Sequence, residues 1–223
     1  MESILDFSYI QHSIPLFVEA LKVTIILTSG GICLSLAVGL VGSVILYFRV
    51  PVLYWGVTLY VQIARNIPVL VFLFFLYFGL VQVGIRFEGE TCAILGLGIM
   101  GGAYMTESFR AGLSAVDKNQ YESARSLGLG PLQILRFVSF PQAFAIVVPA
   151  LLANAHAILM ETAICGFVAV PELMYVTRDE IGMYYKTYEA FSILTVCYLV
   201  LLLPLSLAAG HWERRLRNAQ YSS

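Results

Sequence analysis

The chain has 223 residues, of which 59% are hydrophobic and only 12% are charged, whereas an ordinary soluble domain is about a quarter charged and under half apolar. A soluble fold of this composition would lack the polar surface needed to cover its core, so the composition indicates a membrane protein. The formal net charge of −1 gives no sign of the basic surface that a nucleic-acid-binding protein carries, and no nucleic-acid partner is predicted.

Five apolar segments are long enough to cross a bilayer, since a membrane helix needs ~20 mostly apolar residues. Backbone groups within lipid need internal partners, which favours helices over strands. The segments are residues 22–47, 53–83, 91–111, 142–165 and 190–211. The first residues lack the basic start of a signal peptide, so the first segment is expected to remain as an anchor. We therefore predict an all-α polytopic membrane protein with a single domain over residues 1–223.

The second segment is expected to be broken. Residues 53–83 are longer than a crossing requires, and Pro68 removes a helix donor while restricting Ile67. A kink or short break near Ile67 is predicted, and discontinuous helices at membrane depth usually line a protein-filled or watery path. Arg65 precedes this break. It can receive a substrate carboxylate in a bidentate pair, or it can snorkel or pair with an acid, and both interpretations remain open.

The third segment ends with an acid and a base, Glu107 and Arg110, three residues apart. This spacing permits an ion pair on one helix face. We interpret the pair as structural, bracing the start of the loop that follows.

The loop at residues 112–140 is the longest on its side and is expected to be structured. Asp117 or Asn119 can cap a short helix. Gly128 can end that helix in a left-handed conformation, and Pro131 fits the first turn of a second helical segment.

The short loop helix carries Tyr121, Ala124 and Leu127 at a spacing that lets them share one face. Such a face is suited to docking in the groove of a partner protein. An amphipathic helix lying on the lipid surface is the alternative, and the pattern alone does not decide between them.

The fourth segment contains an acid near its end, Glu161. Inserting an ionisable side chain at mid-bilayer costs ~2.5–3.5 kcal/mol of free energy, so its presence there indicates a structural or functional role. A carboxylate facing a pore can bind an α-ammonium or a cationic side chain. A structural pair with Arg65 or a helix cap is the alternative. Asn154 lies seven residues earlier on the same helical face and can line the same path, whereas His156 is interpreted as a packed residue.

Lysine and arginine placement predicts the orientation, because cytoplasmic loops carry the excess of positive charge. With the N-terminus outside and the C-terminus in the cytoplasm, eight basic residues lie inside and four outside. The eight inner residues are Arg49, Arg110, Lys118, Arg125, Arg136, Arg214, Arg215 and Arg217, and the four outer ones are Lys22, Arg86, Arg178 and Lys186.

The loop stretch ESARSLGLGPLQILRFVSFPQA resembles the signature loop of the membrane subunits of ATP-binding-cassette (ABC) importers. That pattern is Glu-Ala-Ala, three residues, Gly, nine residues and Ile-x-Leu-Pro. Glu122, Ala124, Gly128 and Pro141 stand at its spacing. The mild departures are Ser123, Val138 and Phe140.

Three further stretches, ARNIPVLVFLFFLYFGL, AYMTESFRAGL and PQAFAIVVPALLAN, are similar to the polar amino-acid permease branch of that family, which includes histidine, glutamine and arginine permeases. The resemblance covers residues 20–212 and implies a type I importer permease in the bacterial cytoplasmic (inner) membrane. Two permease subunits, identical or related, would form the pore. A separate extracytoplasmic binding protein would deliver a polar or charged amino acid.

The resemblance also implies that cytoplasmic ABC ATPase subunits grip the loop helix around residues 119–128. The chain has no G-x-x-x-x-G-K-[ST] phosphate loop, so ATP is expected on the partner and no cofactor on this chain. The residues predicted to couple to the ATPase are Tyr121, Glu122, Ala124, Leu127 and Gly128.

The same branch commonly has Lys-Asp-Thr-Ser where this chain has Met-Glu-Thr-Ala at residues 160–163, and in some relatives that acid contacts the transported amino acid. The residues predicted to bind substrate or line its path are therefore Glu161, Arg65, Asn154 and Thr162.

Two other classes of function compete with a permease subunit. A stand-alone channel or ion-coupled carrier would transport without ATP, but five spans with no inverted repeat make a poor complete carrier. A membrane-embedded enzyme would need a nucleophile–base set or a metal cluster, and neither H-E-x-x-H nor G-x-S-x-G occurs. We therefore predict a transport subunit that is not an enzyme, with no catalytic and no metal-binding residues.

Overall fold

The computed structural model describes the backbone of residues 6–221 and the side chains of residues 6–212, and helices joined by turns make up all of this range. In chain order the helices are α1 (Phe7–Phe48), α2 (Leu53–Ala64), α3 (Val69–Phe74), α4 (Gly89–Ala115), α5 (Lys118–Ser126), α6 (Pro131–Ile134), α7 (Phe140–Glu161), α8 (Leu173–Tyr184) and α9 (Thr187–Tyr221). Wider π-helical turns occur at Phe75–Gly79 and Leu135–Ser139, and tighter 3₁₀ turns at Leu80–Val83 and Thr162–Val168.

Three helical stretches of the described chain are long and apolar enough to cross a membrane, judged by length and composition: Phe7–Phe48, Pro131–Val168 and Thr187–Trp212. The bent pair Leu53–Ala64 and Val69–Val83 makes a fourth if both parts form one span. Helix α4 has 27 residues and is about 40 Å long at 1.5 Å per residue, but it is less apolar than the others. The predicted all-helical, multi-span class is confirmed, while the fifth span stays a prediction.

The predicted break in the second segment is confirmed. Helix α2 ends at Ala64, α3 begins at Val69, and the chain bends by 108° between them. Pro68 adopts an extended conformation immediately before α3, so it starts the new helix rather than interrupting an old one.

The first helix begins at Phe7, so it extends beyond the predicted span at residues 22–47 on the N-terminal side. The carboxylate of Asp6 accepts hydrogen bonds from the backbone N–H groups of Ser8 and Tyr9 at 3.1 and 3.2 Å, which caps the helix. The helix then continues through Pro15. Its early turns are retained because Phe17 packs within the protein, where it is 1% exposed.

The helical stretch that contains the fourth predicted span begins at Pro131, ahead of Pro141, so the end of the predicted loop at residues 112–140 is already helical. The N–H of Phe140 bonds the carbonyl of Leu135, five residues back, so a π turn precedes this proline. We attribute the uninterrupted helix to that wider turn, which shifts the bonding pattern just before a residue that has no N–H to donate.

The other helix ends lie close to the ends of the predicted segments, except that α9 continues to Tyr221. Helix α8 lies between the fourth and fifth predicted segments, where no helix was predicted. The side chains of Arg214, Arg215 and Arg217, three of the basic residues used to predict orientation, lie outside the described side chains. The orientation therefore stays a prediction.

The chain divides into two compact units. Unit 1 contains Met1–Leu34, Ile67–Gly98 and Ala155–Ser206, and unit 2 contains Ser35–Asn66, Ile99–Asn154 and Leu207–Ser223. The boundaries between these ranges fall within α1, α4, α7 and α9 and at the break between α2 and α3.

The core of unit 1 joins the early turns of α1 to α8 and α9. Phe17 and Ala20 pack with Leu173, Val176 and Ala190, all of them at most 6% exposed. Polar bonds accompany this packing, because the carboxylate of Glu180 accepts hydrogen bonds from Tyr9 at 2.7 Å and Ser13 at 3.2 Å.

Unit 2 is held by close helix contacts that depend on glycine. A side chain on Gly39 of α1 would collide with Met105 of α4, and one on Gly112 of α4 would collide with Val147 of α7. Small residues at such positions let membrane helices approach closely, and here each glycine makes room for a buried apolar side chain of the next helix, Met105 or Val147.

Candidate functional site

The loop helix α5 of unit 2 is defined by its ends, as the sequence predicted. Asp117 is the cap, and its carboxylate accepts a hydrogen bond from the N–H of Asn119 at 2.9 Å. Gly128 follows the helix with a φ of +84°. Its N–H donates to the carbonyl of Arg125, and the N–H of Leu129 donates to the carbonyl of Ala124. These bonds satisfy the last carbonyls and turn the chain sharply.

The chain after this turn starts the next helix at once. The N–H of Gly130 donates to the side-chain oxygen of Gln133 at 2.8 Å, and Pro131 occupies the first turn of α6. Behind α5 lies the π turn at Leu135–Ser139, in which Leu135 and Ser139 are buried. The hydroxyl of Ser139 is 3.5 Å from that of Tyr47, so the C-terminal end of the loop contacts α1 within unit 2.

The face of α5 directed away from the unit differs from the one predicted. Ala124 is buried, Tyr121 is half-buried and Leu127 is 82% exposed, so these three side chains do not form one exposed face. The exposed side instead carries Glu122 and Leu127. A shallow depression lies there, lined by Asn119, Glu122, Ser123, Ser126 and Leu127.

A charged cleft of about 480 Å³ lies elsewhere in unit 2. Its ionisable lining consists of Arg49, Arg65, Arg110 and Glu107, so the formal charge of these four groups is positive. The remaining polar lining is formed by Ser43, Tyr47, Tyr54, Thr58, Gln62 and Ser114.

The acid in this cleft contacts two of the arginines. Glu107 binds Arg110 through two hydrogen bonds of 2.6 and 3.1 Å, which confirms the predicted ion pair. The Nη1 of Arg65 lies 3.8 Å from an oxygen of the same carboxylate. The guanidinium of Arg65 also lies 5.6 Å from the centre of the Tyr104 ring. Arg65 thus has an acidic partner, which is Glu107 rather than the Glu161 considered from the sequence.

Asn154 also lies in unit 2 and donates a hydrogen bond from its side-chain nitrogen to the hydroxyl of Ser108 at 3.0 Å. The same nitrogen is 3.8 Å from the sulfur of Met105. Asn154 therefore links α7 to α4, which fits a packing role as well as a position beside a path.

Glu161 and Thr162 lie in unit 1, at the junction where α7 tightens into a 3₁₀ turn. Glu161 is half-buried. Thr162 is fully buried, and its hydroxyl donates to the carbonyl of Leu159 at 2.7 Å. The hydroxyl of Thr162 is thus engaged by its own helix, whereas the carboxylate of Glu161 keeps a partly accessible surface. The four residues predicted for the path are divided between the units.

Sequence reasoning missed one buried acid of unit 1, Glu172. Its side chain is 0% exposed, and its carboxylate caps α8 by accepting hydrogen bonds from the N–H groups of Met174 at 2.8 Å and Tyr175 at 2.6 Å. Burial raises the pKa of this carboxyl to about 7, although the two N–H groups and Arg178 oppose the rise. The sequence offers no clear signal, because glutamate is not a favoured capping residue.

Within the described residues no group of three or more histidine, cysteine, aspartate or glutamate side chains is placed to hold a metal ion. The chemistry that the described clusters can perform is recognition of charge: an acid between two arginines in unit 2 and a partly accessible acid in unit 1.

Comparison with known sequences and structures gives a consistent result. Residues 31–218 match the family model described as "Binding-protein-dependent transport system inner membrane component". A probable glutamine ABC transporter permease of Bacillus subtilis is 33% identical over 93% of this chain and 97% of its own length. An arginine transport system permease of the same organism is 28% identical, covering 96% of this chain and 98% of its own.

Solved structures show the same fold. A chain from the crystal structure of an amino acid ABC transporter with histidines superposes with a TM-score of 0.87 at 30% identity, covering 95% of this chain and 99% of its own. A chain of the inward-facing MetNI methionine ABC transporter gives a TM-score of 0.78 at 23% identity, over 92% and 97% of the two chains. At that lower identity the likeness concerns the fold.

Proposed function

The chain belongs to the family of binding-protein-dependent transport system inner membrane components, and on this premise we propose that it carries an amino acid through the membrane with energy from a separate ATPase. It is a multi-pass membrane permease subunit of an amino-acid ABC importer. The observation that carries this function is the family match over residues 31–218, which includes the whole loop with its capped helix α5.

We place the ATPase contact on the exposed side of α5. The helix buries only Ala124 against its own chain and directs Glu122 and Leu127 outward. Gly128 adopts a left-handed conformation and no atom lies within 4 Å of the position its Cβ would occupy, so a partner can approach the backbone closely. An exposed, capped helix with a sharp turn after it is suited to transmitting a conformational change from one protein to another.

The test of this coupling is Gly128→Asp. An L-residue in this conformation costs roughly 1–2 kcal/mol, and the new side chain would stand where the partner approaches. We expect the variant to reach the membrane at the normal level, to lose ATP-driven amino-acid uptake in reconstituted vesicles, and to co-purify poorly with the ATPase.

Gly84 offers a matched control, because it has the same φ of +84° and the same empty surroundings but lies outside the loop. Gly84→Asp should therefore retain uptake. Normal uptake and normal ATPase recovery with Gly128→Asp would contradict the coupling role. Full uptake by the purified chain without nucleotide would favour the alternative, a stand-alone channel or ion-coupled carrier.

We further propose the topology that the sequence predicted: a single permease domain over residues 1–223, five spans, an outer N-terminus and a cytoplasmic C-terminus. Two observations support it. The five predicted segments coincide with α1, the broken pair α2–α3, α4, α7 and α9, and the basic residues are more numerous on the proposed cytoplasmic side. A second permease subunit and an extracytoplasmic binding protein complete the proposed assembly.

We propose that the charged cleft of unit 2 receives the transported amino acid. A zwitterion needs an anion acceptor and a cation acceptor close together, and Arg65 and Glu107 supply them 3.8 Å apart. The side chain of Arg65 is 43% exposed and that of Glu107 is 26% exposed, so both remain accessible to a ligand. Arg110 orients the carboxylate of Glu107 through its two hydrogen bonds.

Within unit 1, Glu161 is the proposed second contact, beside Thr162. Asn154, in unit 2, is proposed separately as a residue that lines the path. A partly accessible carboxylate attracts an α-ammonium or a cationic side chain. Curated relatives are named for glutamine and for arginine, so we propose a polar or cationic amino acid as the substrate of this chain.

The substrate contacts are tested with Glu107→Gln and Glu161→Gln in vesicles supplied with labelled glutamine or arginine. Losing a hydrogen bond to a charged group costs about 1.5–3 kcal/mol, so we expect substrate-dependent uptake to fall by roughly tenfold or more. Glu19→Gln is the control, because Glu19 is 70% exposed and, within the described part of the chain, its ion pair is with the exposed Lys22. Unchanged uptake in either test variant would remove that residue from the path.

A further inference from the structure

The charged cleft of unit 2 has two ends, and the amino acid proposed above occupies only one of them. Tyr54 and Arg65 both line the cleft from α2, and they are roughly 16 Å apart along the helix at about 1.5 Å per residue. Arg65 and Glu107 are the pair proposed to bind the amino acid. The opposite end, which we call the inner end, is lined by Tyr47, Arg49, Tyr54 and Ser114.

The inner end lies where three helices begin or end. Phe48, the last residue of α1, packs against a cluster that contains Leu113, which is close to the end of α4. Helix α2 begins at Leu53, shortly after α1 has ended. In the proposed topology these helix ends lie at the cytoplasmic boundary of the bilayer, which is the level of the lipid phosphates in that leaflet.

Arg49 is the arginine of the cleft that has no acidic partner among the described residues. Its side chain takes part in none of their ion pairs or hydrogen bonds, whereas Arg110 and Arg65 both contact Glu107. Arg49 is exposed and has a φ of +48°. This left-handed backbone is unfavourable for a residue with a Cβ, and such conformations concentrate at binding and switch sites. The guanidinium of Arg49 is therefore available to bind an anion.

Two hydroxyl groups at the inner end, those of Tyr54 and Ser114, also have no hydrogen-bond partner in the described part of the chain. Glu107 is the acid of the cleft lining, and both of its oxygens bond Arg110. The inner end thus offers a guanidinium and two hydroxyl donors, and the described lining there has no free carboxylate to repel an anion. A phosphate group, with several acceptor oxygens, fits such a set of donors.

We infer that the inner end binds the phosphate of an anionic phospholipid from the cytoplasmic leaflet, beside the position proposed for the amino acid. Basic pockets between membrane helices on that side are suited to acidic head groups. Inorganic phosphate offers the same chemistry, but the bilayer itself holds lipid phosphates at this level, so their local concentration near Arg49 is much higher. The inference rests on the proposed topology, which puts these helix ends in the cytoplasmic leaflet.

The experiment measures lipid binding to the complete transporter, stripped of lipid in detergent, by native mass spectrometry during titration with phosphatidylglycerol or phosphatidylcholine. The wild-type protein should bind phosphatidylglycerol more tightly than the zwitterionic lipid. Arg49→Gln should weaken phosphatidylglycerol binding roughly tenfold or more, because hydrogen bonds to a charged group are lost. Arg49→Gly should do the same. Because glycine adopts this backbone without strain, misfolding would not account for the loss.

Arg136→Gln is the matched control. Arg136 is an exposed arginine of the same unit that lies outside the cleft lining, and its guanidinium is 5.5 Å from the centre of the Phe137 ring. The substitution removes the same charge and should leave the affinity for phosphatidylglycerol unchanged. Tyr54→Phe removes one hydroxyl from the inner end and should weaken phosphatidylglycerol binding severalfold.

Four results would overturn the inference. Equal affinity for phosphatidylglycerol in the wild type, Arg49→Gln and Arg49→Gly would mean that Arg49 holds no lipid. An equal loss with Arg136→Gln would indicate a general effect of positive charge. Displacement of the bound lipid by an equal concentration of inorganic phosphate would assign the site to a soluble anion, and displacement by glutamine would put both ligands at one position. Wild-type uptake of labelled glutamine into vesicles is measured in parallel, because its absence would contradict the proposed function rather than the lipid site.

Discussion

Helices α5 and α8 are both short and both lie outside the long apolar stretches, but they are built in opposite ways. Helix α5 is capped by the exposed Asp117 and buries a single residue. Helix α8 is capped by Glu172, which is fully buried, and it buries Leu173, Val176, Thr177 and Glu180. The difference indicates that α8 stabilises the fold and that α5 is available to bind a partner. A helix that packs against its own chain has little surface left for another protein.

The residues that end the two helices differ in the same way. Helix α5 ends in Gly128, which adopts its left-handed conformation without strain, and the chain turns freely into α6. Helix α8 ends in Tyr185, a non-glycine residue with a φ of +58°. The packing of α8 against α1 and α9 holds this less favourable backbone in place, whereas α5 has no comparable packing to do so.

The largest expected effect is therefore on α8. Glu172→Ala removes the acceptor of two partly buried N–H groups, and because each donor left unsatisfied costs about 1–3 kcal/mol, we expect a loss of about 3 kcal/mol in the free energy of unfolding. The midpoint of thermal unfolding in detergent measures it. Asp117→Ala is the matched control: it removes the exposed cap of α5 and should leave that midpoint unchanged.

Glu172→Gln keeps the size and shape of the side chain but removes its ability to ionise. The folded chain holds the Glu172 pKa at about 7, above the ordinary 4.5, so the folded state binds the proton more tightly than the unfolded state does. Stability from this group is therefore complete below pH 4.5 and is lost as the pH rises to about 7. The glutamine variant cannot titrate, and its stability should be flatter across this window. Equal pH slopes in the two proteins would contradict a buried, proton-binding Glu172.

The same contrast explains what the sequence could predict. The ends of α5 were predictable because Asp117, Gly128 and Pro131 act through local backbone geometry that each residue type determines by itself. The break at Pro68 was predictable for the same reason. Helix α8 was missed because its cap, Glu172, is an unfavoured residue that becomes effective only when buried, and that burial comes from tertiary packing that no local pattern reports.

The candidate site was predictable in part, for a related reason. The pair of Glu107 and Arg110 follows from their spacing on one helix. The contact between Arg65 and Glu107 joins residues that are far apart in the sequence, and no local sequence pattern predicts it. The face of α5 was mispredicted because the spacing of Tyr121, Ala124 and Leu127 permits a shared face, whereas packing against the π turn buries Ala124 and leaves Leu127 outside.

The smallest expected effect on the isolated subunit is that of Leu127→Ala, and it completes the comparison of α5 with α8. Leu127 is 82% exposed, so its truncation should not change the midpoint of thermal unfolding. If the ATPase covers this side chain, burial of a leucine contributes roughly 1.5–3 kcal/mol to the contact, and the dissociation constant for the ATPase should rise about tenfold or more. Leu132→Ala, at a 69% exposed leucine of α6, is the control and should leave the affinity unchanged. A lower unfolding midpoint would place Leu127 in the packing of its own chain. Equal weakening by both substitutions would mean that the contact spreads over the loop rather than centring on α5.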